Sequence, residues 1–175
     1  MPSLRTNFNN KSLPHFITLT VKHWYYLFDR HNRWQILADS LNYFIRHKNL
    51  KLYGFVFMLN HLHLVVHSPD CIGFIRDFKR FTTQELKKNL QQTEPNVLQL
   101  FIDGNGKYEF WQKTNLPLPL ESESFLLQKL EYMQLNPVKK QYVTRPEHWY
   151  WSSANPACRL KIHAWWKFLI WTCGA

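Results

Sequence analysis

The chain has 175 residues, 45% hydrophobic and 17% aromatic, which suffices for one substantial core and is short for two independent domains. A formal charge of +10, from 22 Lys and Arg against 12 Asp and Glu, favours a polyanionic partner, with nucleic acid ahead of an anionic membrane surface. Three scattered cysteines argue against a disulfide framework or a zinc ribbon, and no stretch approaches the roughly 18 apolar residues of a membrane span, so a cytoplasmic, nucleoid-associated protein is expected.

Residues 1–10 carry Arg5 and no apolar leader core. Phe16 to Val21 then alternates as a strand, and Trp34, Ile36, Leu37, Leu41 and Phe44 follow at helical spacing. Lys51 to Met58 is rich in β-branched and aromatic residues, Asn60 is a turn candidate, and His61 to His67 resumes strict alternation. Two adjacent antiparallel strands are predicted there. From Ile72 to Leu90 the apolar positions recur with helical period, while Arg76, Lys79, Arg80, Lys87 and Lys88 give the helix a basic stripe. The polar segment from Gln91 to Lys107, with Pro95 and an Asp103-Gly104-Asn105-Gly106 turn, predicts a loop and a flexible insertion around a short apolar patch.

Tyr108 to Gln112 is the candidate fourth strand, Pro117 and Pro119 interrupt regular structure, and Ser122 or Ser124 is positioned to cap a helix from Phe125 to about Asn136. The order β-α-β-β-α-β-α predicts an α+β fold: a ferredoxin-like, RRM-like antiparallel sheet with helices on one face, leaving the other open for a site. The domain is expected over residues 1–154. Residues 155–175 are expected to form a tail that packs on it or on a partner, with the apolar stretch Ala164 to Cys173 interrupted by Lys167.

Residues two apart on a strand share a face, so His61 and His63 project together and Leu62, Leu64 and Val66 project to the opposite side. Two imidazoles on one rigid strand are preorganised for a metal, although nine histidines in the chain leave a solvated pair as the competing reading. His67 falls on the same face near the strand's end. Tyr132 and Asn136, four apart, share a helix face, so a nucleophile and an amide are able to meet one ion. Core packing of an amphipathic helix explains a tyrosine at that position equally well.

Together, FVFMLNHLHLVVHSPD at 55–70 and LQKLEYMQLNPVKKQYVTRPEHWYWSSA at 127–154 resemble the IS200-like transposases, specifically the REP-associated tyrosine transposases. The shared features are a hydrophobic strand leading into His-hydrophobic-His, the HUH motif, at 61–63, and a helix with Tyr-x-x-x-Asn-Pro-Val at 132–138. Pro-Glu-x-Trp at 146–149 and Trp-Ser-Ser at 151–153 follow. FIRDFKRFTTQEL at 74–86 and FWQ at 110–112 also look like family segments, so the resemblance spans Phe16 to Ala154. It implies an HUH motif on a central strand, Mg²⁺ or Mn²⁺ held by His61, His63 and Asn136, and Tyr132 joined covalently to a 5′ phosphate. It also implies single-stranded, hairpin-bearing DNA as substrate and a monomer or homodimer. The metal is implied by the resemblance and not by the ligand chemistry, since an imidazole pair suits zinc better than magnesium.

Arg76, Lys79, Arg80, Lys87, Lys139 and Lys140 are candidates for phosphate contacts, and Trp111, Trp149, Tyr150 and Trp151 for base stacking, against the alternatives of solvated helix faces and core packing. The family most often has His two residues after the tyrosine, where this chain has Gln134. Two alternatives follow: a hairpin-binding module with little or no cleavage, and a small metallohydrolase whose histidines activate water.

Overall fold

The computed structural model describes residues 11–113 and 116–164. Four strands, β1 (His15–Thr20), β2 (Lys51–Phe57), β3 (His61–His67) and β4 (Leu118–Pro119), form one antiparallel sheet in the order β2-β3-β1-β4. This is the split βαβ order expected from the alternation pattern, and β3, with both motif histidines, lies in the sheet's interior. Its period of two divides the apolar residues between the faces. Ile17, Leu19, Phe55, Leu62, Leu64 and Val66 enter the main core beneath α1 (Arg33–His47) and α2 (Cys71–Thr93), which contribute Leu37, Leu41, Phe44, Phe74 and Phe78. Phe16, Val56 and Val65 face the other way, into a smaller core with Leu126, Leu130 and Met133 of α4 (Glu123–Gln134).

The second face is therefore less open than the sequence suggests. α1 and α2 cover one side as expected, and α4 lies across part of the other because its apolar stripe needs a partner. Gly54 of β2 permits the close approach: a Cβ there would collide with the ends of Met133 and Leu130. The same packing brings α4 to the histidine-bearing face.

Local capping matches the sequence signals. Asp70 accepts from the Gly73 N–H at 2.9 Å to start α2, and Ser122, not Ser124, accepts from the Phe125 N–H at 3.2 Å to start α4. α1 begins on an extensive buried network: Arg33, fully buried, donates to Asn89, Thr93 and the Leu27 carbonyl and pairs with Glu94 at 2.6 Å, tying the start of α1 to the end of α2.

Two expectations need correction. The segment after α2 is not a loose insertion, because α2 itself extends to Thr93 and α3 (Pro95–Leu98) and a 3₁₀ turn (Gln99–Phe101) follow, with Leu98 and Phe101 buried in the main core. Only its tip is a turn, closed by the Asp103 carboxylate accepting from the Asn105 and Lys107 amides. Nor is Tyr108 to Gln112 the fourth strand. Trp111 makes an isolated bridge to Val21 and Gln112 donates to the Thr20 carbonyl, while the regular partner of β1 is Leu118–Pro119 beside the prolines. Proline is tolerated there because β4 is an edge strand.

The opposite edge, along β2, is closed by the motif Trp-Ser-Ser. The Phe57 amide donates to the Trp151 carbonyl and the Ser153 amide to the Phe55 carbonyl, and further on His163 bonds Leu52. Leu160 joins the main core and Cys158 packs against it, while Ile162 is exposed; most of the apolar tail lies outside the described residues. Among the described residues no helix is long and apolar enough to cross a membrane.

Candidate active site

His63 sits mid-strand on β3, flanked by Thr18 of β1 and Val56 of β2. The residue is 4% exposed; its ring stacks on Phe16 at 5.4 Å and 18° and lies 4.9 Å from the ring of His61, centroid to centroid. The two imidazoles converge on one face, as their spacing requires. The Thr18 hydroxyl is 2.9 Å from His63 Nδ1, and the Asn60 side-chain oxygen is 2.8 Å from His61 Nδ1. Burial, assisted by Lys140, pulls His61 down to about 4; burial, assisted by His61 and Lys129, pulls His63 down to about 3. Both rings are consequently neutral at pH 7, the state in which imidazole ligates a metal. His63 Nε2 is buried with no hydrogen-bond partner. An unsatisfied buried nitrogen costs about 1–3 kcal/mol, and a cation is one partner that would satisfy its lone pair. His67 is held separately at the far end of β3, its Nε2 at 2.9 Å from the Lys11 carbonyl.

Tyr132 comes to this pair from α4 of the same chain. It is 43% exposed, and its ring meets His63 edge-on at 5.8 Å and Phe16 at 6.2 Å. The ammonium groups of Lys129 and Lys139 stand 5.5 and 5.1 Å from its ring centroid. Asn136 is placed less directly. α4 ends at Gln134, Asn136 opens the short α5 (Asn136–Lys139), and its side-chain NH₂ donates to the Tyr132 carbonyl at 2.9 Å. The amide nitrogen thus closes the helix end and leaves the side-chain oxygen as the atom able to face an ion. Among the described residues no three His, Cys, Asp or Glu converge. The donors present fit a divalent ion through two neutral nitrogens, with its other positions filled by an amide, water or phosphate oxygen.

The candidate cations divide by the sheet face they occupy. Arg76, Lys79, Arg80, Lys87 and Lys88 all lie on α2, across the sheet from the histidines, and most have local partners. Arg76 and Arg80 pair with Asp77, Lys88 with Glu85, and Lys87 lies over the Tyr108 ring. Lys79 is half-buried, donates to the Gln112 carbonyl at 2.8 Å, and is pushed down to about 8 by burial. Lys139 and Lys140 are brought to the site. Lys129, which sequence reasoning did not single out, joins them, and its place three residues before Tyr132 on α4 is the signal that would have found it. Phe16 and Thr18 were recognisable only through the β1–β3 register.

The aromatic candidates are largely structural. Trp111 is buried in the main core, and Trp149 and Trp151 pack against Trp34 from the β2 edge, with the Trp149 indole N–H bonded to the Phe57 carbonyl. Exposed aromatic surface lies instead in an open cleft of about 570 Å³ lined by Trp24, Tyr25, Tyr26, Arg30, Asn60 and Lys140. Trp24 is 63% exposed, and two lining residues, Asn60 and Lys140, also bear on His61.

The sequence matches no family model and no curated protein. Shape is more informative. In class, the chain has an α+β fold, a four-stranded antiparallel sheet with helices, that is shared with a solved transposase. The solved structure of a REP-associated tyrosine transposase bound to a REP hairpin matches it with a TM-score of 0.65 at 17% identity, over 87% of this chain and 82% of that one. A second chain, ascribed to the transposases of Deinococcus radiodurans R1, aligns over 70% of this chain and 88% of its own at 17% identity; its TM-score of 0.42 adds nothing to the assignment. The fold is thus the one that the motif resemblance implies.

Proposed function

We propose that this protein is a transposase-class DNA strand transferase with Tyr132 as its nucleophile. The observation that carries the reading is the contact of the Tyr132 ring with His63, which bears a buried unpartnered nitrogen and converges with His61, in a fold shared with a tyrosine transposase. His61 and His63, with the Asn136 side-chain oxygen, are the residues that would hold Mg²⁺ or Mn²⁺. Such an ion would supply charge stabilisation to a phosphate in transition.

The residues of the chain have the following roles. Phe16 and the cations beside it set the Tyr132 ring in place, and Lys129, Lys139 and Lys140 attract the phosphodiester. The Tyr132 oxygen forms a bond to phosphorus as its proton leaves, and the bond from phosphorus to the 3′ oxygen breaks, with that oxygen taking up a proton. The products are a 5′-phosphotyrosine and a free 3′-OH. Because the phosphoester is conserved, a second 3′-OH is able to reverse the step elsewhere, which is strand transfer. The REP-associated transposase of similar fold is bound to a hairpin, and the aromatic cleft beside His61 suits unpaired bases, so single-stranded DNA bearing hairpins is the proposed substrate.

The test mixes labelled hairpin DNA with the protein and Mn²⁺. A denaturation-resistant adduct that disappears in Tyr132→Phe and with a chelator supports the strand transferase. Tight binding without adduct across several hairpins would replace it with a binding module. Cleavage that survives Tyr132→Phe but not His63→Ala would replace it with a metallohydrolase.

A further inference from the structure

Asn60 occupies the tight connection between β2 and β3, where the Met58 amide donates to the His61 carbonyl. A turn role explains an asparagine at this position but not the environment of its side chain. Asn60 is only 8% exposed, and both ends of its carboxamide have partners. The NH₂ donates to the Trp24 carbonyl at 2.7 Å, and the oxygen lies 2.8 Å from His61 Nδ1.

The orientation of this amide is not arbitrary. A carbonyl oxygen only accepts, so the Trp24 carbonyl requires the NH₂ end and turns the Asn60 oxygen toward His61. That oxygen in turn only accepts, so His61 Nδ1 must carry the hydrogen. A neutral imidazole with its hydrogen on Nδ1 has its lone pair on Nε2. The neighbouring Thr18–His63 contact imposes no such choice, because a hydroxyl rotates and either donates or accepts.

We propose that Asn60 is a positioning residue for His61: anchored by the Trp24 carbonyl, its carboxamide holds the imidazole as the Nδ1–H tautomer and keeps Nε2 as the ligating nitrogen. The inference rests on the proposed metal-dependent function for its consequence, but not for the tautomer itself. It assigns two separable tasks to one side chain, accepting from His61 and donating to the loop that carries Trp24. Trp24 and the preceding His23 both have left-handed backbones, with φ of 55° and 59°, so the donated hydrogen bond also secures an unfavourable turn.

Two substitutions separate the tasks. Asn60→Asp keeps an acceptor for His61 and loses the donor to Trp24, whereas Asn60→Ala loses both. Nitrogen-15 spectra of the histidine rings in the metal-free full chain at pH 8 report the tautomer, and Mn²⁺ titration reports affinity. The expected result is an Nδ1–H tautomer for His61 in the wild type and in Asn60→Asp, and a mixture in Asn60→Ala. Mn²⁺ affinity should fall about tenfold or more in Asn60→Ala and be retained within about threefold in Asn60→Asp. A wild-type His61 carrying its hydrogen on Nε2 would overturn the proposal, as would equal losses in both variants, which would make Asn60 a loop anchor alone. If the wild type binds no Mn²⁺, the metal reading fails, while the spectra still decide the tautomer. Thermal unfolding of both variants identifies any that do not fold, and the wild-type spectrum then stands as the deciding measurement.

Discussion

The Tyr132 ring stands edge-on to the His63 ring at 5.8 Å and 69°, joining the exposed face of α4 to the buried centre of β3. The ring contact belongs to packing and the hydroxyl to the proposed chemistry, so the two are separable by deleting one oxygen. Tyr132→Phe is expected to stay within about 0.5 kcal/mol of wild-type stability, since a partly exposed hydroxyl contributes little. It should nevertheless lose the covalent DNA adduct entirely. Urea unfolding and a denaturing gel check the two halves; loss of stability comparable to loss of adduct would assign Tyr132 to the core.

The buried histidines make a further demand on pH. His61 and His63 have folded-state values of about 4 and 3, below their ordinary 6.5, so the unfolded chain binds protons more readily than the folded one. Their contribution is fully present above about 6.5 and is lost as the pH falls from there toward the folded values. In chelated buffer, stability should decline between pH 6 and 4.5 by at most about 1.4 kcal/mol per pH unit for each histidine. The double substitution His61→Gln, His63→Gln should flatten that decline, measured as unfolding free energy against pH. An unchanged slope would place the acid sensitivity in other groups.

Gly54 tests how closely α4 must approach. A side chain there meets Met133 and Leu130, which flank Tyr132 on its helix. Gly54→Ala collides only with flexible side-chain ends, whereas Gly54→Val also enlarges the obstruction, with an expected cost of about 1–3 kcal/mol. The loss of adduct formation should exceed the loss of folded protein, because the displaced helix carries the proposed nucleophile Tyr132. Adduct yield per folded molecule, with folding followed by near-ultraviolet circular dichroism, reads the effect; a full yield from folded Gly54→Val would show the approach to be unnecessary.

What was legible in the sequence follows from where periodicity carries information. α1 and α2 each bury one stripe, so helical recurrence marks them, while β1 and β3 send alternate residues to two different cores, and the His61–His63 face follows from the alternation of β3 alone. β4 is two residues long beside proline and has no pattern to read. Leu98 and Phe101 look like a polar loop's stray apolar residues until the distant core that receives them is known. Of the candidate site, the shared face of His61 and His63 was legible, and Lys129 was within reach through its helix spacing from Tyr132, whereas the contacts of Asn60 and Thr18 depend on which atom each side chain meets. A turn propensity places Asn60 between two strands but does not reveal a buried carboxamide.

The cations illustrate the same limit and permit a direct separation. Lys79 belongs to the basic stripe of α2 by spacing, but its ammonium is committed to the Gln112 carbonyl next to Trp111, at the junction that extends the edge of β1. Removing it strands that acceptor, so Lys79→Ala should destabilise the fold by about 1–3 kcal/mol. It should leave the salt dependence of hairpin binding in the remaining folded protein unchanged. Lys139 and Lys140 are exposed near Tyr132 and His61 and should behave oppositely. Replacing either with alanine is expected to alter stability by less than about 0.5 kcal/mol while weakening binding and lowering the salt slope by about 1. Binding isotherms at several salt concentrations, paired with urea unfolding, distinguish the classes. If Lys79→Ala lowers the slope as Lys140→Ala does, DNA wraps onto the α2 face as well as the histidine face. If only Lys139 and Lys140 do so, the phosphate track runs past Tyr132 on one side of the sheet.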